Sequence, residues 1–169
     1  MATHQISILS GVAIDNTGRC WVEPYDVFAT NDVWKGNVFR FKDPTANQAH
    51  GFYGWFIVPQ NYVSAATVVP VWTTTAITGN CQWRFTYRTV AGDNTASMDQ
   101  TSNEQALRTA DVAPGAAHRR LTPPMALTAA NFAAGETCEF LFERQDNASD
   151  DTLNTDCVLF DLLFQYADV

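Results

Sequence analysis

The stretch CQWRFTYRTV, residues 81 to 90, alternates without a break: Cys81, Trp83, Phe85, Tyr87 and Thr89 fall on one side of an extended chain, and Gln82, Arg84, Thr86 and Arg88 on the other. A period of two fits a strand with one buried face; on a helix the same aromatics would be scattered around the circumference. The preceding TVVPVWTTT is rich in β-branched residues and reaches this strand through AITGN. Gly79 and Asn80 can take the positive φ of a hairpin turn, which predicts a hairpin here. Pro70 removes a ladder donor from the first of the two strands, which predicts an edge or a bulge.

Further strand candidates are HQISIL, RCWVEPY, NVFRFKD, GFYGWFIVP, HRRLTPPMAL, ETCEFLFER and CVLFDLLFQY, with turn-forming clusters between nearly all of them. Helical spacing is confined to PQNYVSAA (59–66), SNEQALRTA (102–110) and TAANFAAGE, a short turn closed by Gly135. Residues 91–115 are polar, small and irregular, and read as a surface excursion. The fold expected is all-β: an antiparallel, jelly-roll-like β-sandwich of about eight to nine strands with one or two short helical turns. One domain is expected over residues 1–169, with 1–18 as an extended arm or edge strand.

The chain has 169 residues, 46% hydrophobic and 12% aromatic, enough to bury a core without metals or staples. A net charge of −8 with only 10 Lys and Arg excludes a nucleic-acid surface, which requires clustered cations. No apolar run approaches the roughly 20 residues that span a bilayer. The start MATHQISILSG lacks the charged, then apolar, pattern of a secretory signal, so synthesis and folding in a cytoplasm are expected.

The residues give little support to catalysis. His4, His50 and His118 sit in unrelated contexts, and no nucleophile-elbow pattern is present. Glu139 and Glu143 alternate outward on a strand and read as solvated carboxylates rather than a glycosidase pair. No cofactor motif is present, and the expectation is a protein that is not an enzyme. Cys20, Cys81, Cys138 and Cys157 lack metal-ligand spacing and read as buried thiols, with disulfides as the alternative. If ETCEFLFER and CVLFDLLFQY were a simple hairpin, Cys138 and Cys157 would be too far apart to bond; in opposite sheets, Cys157 could meet an early-strand residue such as Cys20.

The densest group of polar side chains is RQDNASDDTLNTDC (144–157). Asp146, Asp150, Asp151 and Asp156 are weak calcium candidates, since they offer oxygens but not the EF-hand spacing. Asn147 opens a glycosylation sequon that matters only on a secretory route. The favoured reading is a solvated interstrand loop in which Arg144 pairs with Asp150 or Asp151. Trp55, Trp72, Trp83, Phe85 and Tyr87 are read as core, with a sugar-stacking platform as the alternative. The cluster HRR (118–120) reads as a solvated face or a subunit contact.

The phrases FRFKD, FYGWFIVPQNYVSAATVVPVWTTT, GNCQWRFTYR, FAAGE and ERQDNASDDTLNTDCVLFDLLFQY, in that order over roughly residues 35–166, resemble a family of small β-sandwich virion proteins of tailed bacteriophages. Matching positions are Pro59, Tyr62, Gly135, Arg144, Asp150, Asp151, Thr152 and Tyr166; Glu136 and Gln145 depart from the pattern. These residues, with Trp72 and Trp83, are expected to be structural. The resemblance implies a capsid decoration or cement protein located in the virion, partnered by the major capsid protein and by itself as a homotrimer. The alternative is a carbohydrate- or receptor-binding module of a head or tail fibre, using exposed aromatics such as Trp34 and Tyr53 on a glycan.

Overall fold

A computed structural model describes residues 2–9, 12–14, 20–26, 35–42, 50–92, 96–99, 105–145 and 148–168. Eleven strands are present among them: β1 (Thr3–Ser7), β2 (Ala13–Ile14), β3 (Cys20–Asp26), β4 (Lys35–Phe41), β5 (His50–Ile57), β6 (Ser64–Thr74), β7 (Asn80–Val90), β8 (Gln105–Val112), β9 (Met125–Ala126), β10 (Thr137–Arg144) and β11 (Cys157–Ala167). One sheet runs β3-β4-β11-β6-β9 with β1 also on β11; the other runs β2-β5-β10-β7-β8. All pairings are antiparallel. This is the expected two-layer sandwich, in which each sheet buries one face against the other.

Alternation places the core. β7 turns Cys81, Trp83, Phe85 and Tyr87 inward, β10 turns Cys138, Phe140 and Phe142 inward, and β5 contributes Phe52 and Phe56. In β11 the inward residues change parity, from Cys157 and Leu159 to Leu162, Phe164 and Tyr166. The register shift between Leu159 and Asp161 explains this: the extra residue Phe160 bulges out and resets the phase, so one strand keeps its apolar side on the core throughout. Trp83 is stacked on Phe142 at 5.0 Å and meets Trp72 and Phe41 edge-on at 5.4 and 5.2 Å. A second aromatic chain runs from Tyr87 through Phe132 and Phe164 to Phe56. Such pairs contribute about 0.5–1.5 kcal/mol each beyond burial.

Several local expectations are corrected. β6 and β7 are not a hairpin: they lie in different sheets, and residues 75–79 carry the chain across the sandwich, with Gly79 at φ +97°. Each strand has an aromatic face to bury, and facing each other through Trp72 and Trp83 buries both, which edge pairing would not. Of the expected helical stretch 102–110, residues 102–104 lie outside the described residues and the rest is strand: β8 covers Gln105–Val112 and pairs with Asn80–Tyr87. Glu, Gln, Ala, Leu and Arg favour a helix only weakly, and the ladder on β7 with Leu107 against the core outweighs that preference. Residues 59–66 form a turn and the start of β6 rather than a helical turn. The segment 118–127 keeps only a Leu121 bridge to Trp72 and the two-residue β9, because Pro123 and Pro124 interrupt the ladder.

Pro70 sits beside that interruption. Trp72 donates its N–H to Leu121 O, and two residues earlier the missing N–H of Pro70 points to the same side, where pairing lapses before Met125. The short helical segment is a single 3₁₀ turn, Ala129–Asn131, and Gly135 follows it at φ +83°. At the start of the chain, β1 pairs with Leu163–Ala167 while β4 pairs with Cys157–Leu159. Since β6 covers the opposite flank of β11, β1 and β4 share one side of it in tandem.

Candidate functional site

The aspartate-rich loop is organised around a cation rather than open to one. Arg144 ends β10 facing inward, its side chain fully buried, and its Nε and Nη2 donate to Asp151 Oδ2 and Oδ1 at 3.1 and 2.9 Å. Its remaining N–H groups reach the carbonyls of Thr155 at 2.7 Å, Lys42 at 3.3 Å and Leu153. Asp151 also accepts the backbone N–H of Gln82 at 3.0 Å, and its carboxylate is fully buried although its backbone is not. Burial pulls the Arg144 pKa down, and the neighbouring thiols and the Asp151 carboxylate pull it up by more, so the guanidinium stays charged. Thr152 completes the tie by accepting the Asn80 N–H and donating its own backbone N–H to Asn80 O, each at 2.9 Å.

This arrangement leaves no calcium cradle among the described residues. Asp151 is bound to Arg144, Asp156 lies 3.4 Å from Arg40, and Asp150 points outward near Gln82. Asp146 and Asn147 lie outside the described residues, and no group of three His, Cys, Asp or Glu side chains among those described is placed to hold a metal. Pro59, Tyr62, Gly135 and Tyr166 gather at the opposite end of β11. Pro59 O accepts the Tyr62 N–H at 3.0 Å, Tyr62 donates its hydroxyl to Ala129 O at 3.0 Å, and Tyr166 donates to Asn61 at 2.9 Å. Gly135 N–H reaches Val58 O at 2.9 Å. Trp72 and Trp83 are fully buried.

Trp72 donates its indole N–H to Asp111 on β8 at 2.8 Å. Burial pushes the Asp111 carboxyl above its usual range, against the opposing pull of that N–H. A carboxyl whose folded pKa exceeds its unfolded one favours folding below the unfolded value, near pH 4, and loses that contribution as pH rises through the folded value. Asp111→Asn is therefore expected to flatten the decline in stability between about pH 4 and neutrality, measured as urea midpoints across that range. An unchanged pH profile would count against the shift.

All four cysteines are buried and carry thiols rather than disulfides. The expected neighbour of Cys157 is corrected: Phe41 separates Cys157 from Cys20 in the sheet, placing them two strand spacings, about 9–10 Å, apart. The thiol that Cys157 meets is Cys81, across the sandwich, at 3.1 Å between sulfurs.

The remaining face is the outer side of the five-stranded sheet. Across it run the rows Trp55–Glu139–Arg88, Tyr53–Leu141–Thr86 and Gly51–Glu143–Arg84. Reading Trp55 as core is corrected: Phe52 and Phe56 point inward, so Tyr53, Trp55 and Ile57 point out, and they are 52%, 53% and 46% exposed. Tyr53 and Trp55, two residues apart, stand roughly 7 Å from each other along β5. Beside them a shallow depression of about 190 Å³ is lined by Tyr53, Thr86, Arg88, Glu139 and Leu141. Arg88 donates from Nε to Glu139 at 2.6 Å and from Nη2 to Met98 O, which fixes the guanidinium plane next to the aromatics. Gly51 leaves the row beside them low, since a Cβ there would lie 2.6 Å from the Glu143 side chain. Trp34, the other aromatic named for a glycan, lies outside the described residues.

No family model matches the chain, and no curated protein sequence does. Among solved structures it is similar to the CBM22-1 xylan-binding domain from Paenibacillus barcinonensis Xyn10C, with a TM-score of 0.51 and 10% identity over 99% of this chain and 94% of that one. It is also similar to the CBM22-1 and GH10 modules of Clostridium thermocellum xylanase 10B complexed with xylohexaose, with a TM-score of 0.50 and 10% identity over 95% of this chain and 27% of that one. The arabinose-bound α-L-arabinofuranosidase MgGH51 gives a TM-score of 0.52 and 10% identity over 93% of this chain and 23% of that one. At such identity the likeness is one of fold, the antiparallel two-sheet sandwich.

Proposed function

We propose that the protein is a non-catalytic glycan-binding module whose ligand lies on the outer face of the five-stranded sheet. The observation that carries this reading is the pair of half-exposed aromatics, Tyr53 and Trp55, on a strand whose opposite side already fills the core. Exposed aromatic rings on a rigid sheet offer flat apolar surfaces for the C–H faces of sugar rings at little conformational cost. Arg88 and Glu139, held together beside them, supply donors and an acceptor for ring hydroxyls. A shallow, open site suits a chain lying across it better than a small molecule enclosed in a pocket.

A glycan array including xylan, galactan and mannan chains, followed by tryptophan-fluorescence titration, tests the reading. Saturable binding to a polysaccharide or cell-surface glycan is expected; no response to any sugar polymer would overturn it. The sequence resemblance to tailed-phage sandwich proteins supports placing such a module on a head or tail fibre, where it would meet a host surface. The same resemblance supports capsid decoration, a reading in which the protein binds shells stripped of accessory proteins and forms trimers.

A further inference from the structure

We infer that Cys81 and Cys157 are a latent inter-sheet cross-link: a dithiol that a low-molecular-weight disulfide oxidises to an intramolecular disulfide joining β7 to β11. Cys81 begins the inward row of one sheet and Cys157 begins that of the other; both are fully buried, and their sulfurs are 3.1 Å apart. A disulfide bond measures about 2.05 Å, so closing it requires a relative movement of about 1 Å. Neither Cys20 nor Cys138 is assigned to this pair: Cys20 is separated from Cys157 by Phe41, and Cys138 stands opposite Thr89 and Phe56.

The exchange balances without a metal or cofactor. One thiol, deprotonated, attacks the small disulfide and displaces one small thiol; the second attacks the mixed disulfide and displaces the other. The two cysteines together lose two electrons and two protons, and the reagent gains them as two thiols. Access decides when this happens. Both sulfurs are covered, and burial followed by contact with Cys157 holds the Cys81 thiol well above the usual range, with Arg144 opposing. Exchange in the closed sandwich is therefore slow, whereas a chain folding in an oxidising medium passes through open states in which the two meet. This inference stands on the thiol geometry and is independent of the glycan reading.

The test uses the full chain. Reduced, unfolded protein is refolded with oxidised glutathione and digested with trypsin without reduction; the four cysteines fall on separate tryptic peptides, 20–35, 43–84, 121–144 and 145–169. The expected product is 43–84 linked to 145–169, its mass lower by two hydrogens than the sum of the parts, with Cys20 and Cys138 alkylatable in denaturant. Folded protein given the same reagent is expected to form that link at least tenfold more slowly. Four alkylatable thiols after oxidative refolding, or a link involving Cys20 or Cys138, would overturn the inference.

Discussion

Arg144→Met is expected to lower stability by about 3–5 kcal/mol, the usual cost of breaking a buried ion pair from one side. A typical total is about 5–15 kcal/mol, so the loss takes a large share of the stability and equals the whole of it at the lower end of that range. The substitution leaves Asp151 buried with only backbone donors and strips the carbonyls of Leu153 and Thr155 of their partner. It also frees the 145–156 loop, since Arg144 is the hub that loop closes on. The check is a double-mutant cycle by urea denaturation. Arg144→Met with Asp151→Asn is expected to recover at least about 1 kcal/mol of the single-variant loss, because a neutral amide still accepts the Gln82 N–H without an uncompensated charge. A cycle with no coupling would show that the loop is held by its backbone alone.

The second large effect concerns binding rather than folding. Tyr53→Ala and Trp55→Ala are each expected to weaken glycan affinity at least tenfold, about 1.4 kcal/mol, as removal of an aromatic anchor at the centre of an interface does. Both side chains are about half exposed, so stability is expected to fall by no more than about 1 kcal/mol, the scale of a cross-strand pair. Val22→Ser, at an exposed position on β3 in the other sheet, is the control and should bind as the parent does. Isothermal titration with the best array ligand separates the outcomes. Aromatic variants that bind as tightly as the parent would remove this face as the site.

These two regions differ in how far the sequence announces them. Alternation in residues 81–90 and 137–144 needs only neighbouring residues to be read, and it settles strand identity and the inward row. In GFYGWFIV both faces are apolar, so period two cannot say which side is outside. The side is decided by β10, whose Phe140 and Phe142 meet Phe52 and Phe56. A two-faced apolar strand was the available signal that one face has another use. The parity change at Phe160 and the meeting of Cys81 with Cys157 depend on how two sheets stack, information carried by no local stretch. β8 is hidden for a different reason: an edge strand can be built from residues that would equally serve a helix, and only the open side of β7 distinguishes the outcomes.

β11 lies between β6 on one flank and β1 with β4 on the other, yet it is the last strand in chain order. During synthesis, every other strand of its sheet emerges from the ribosome before the strand that joins them. Until residues 157–167 are out, β6 and β4 have apolar faces and unpaired edges with nothing between them, and the sheet has no centre on which to close. Folding of this sandwich is thereby postponed until residues 157–167 have been made and rests on contacts between distant parts of the chain, a topology that folds in milliseconds to seconds rather than microseconds. A nascent chain of this kind depends on chaperones or on dilution for that interval, and a ribosome that stalls before β11 leaves a product with no route to the native sheet.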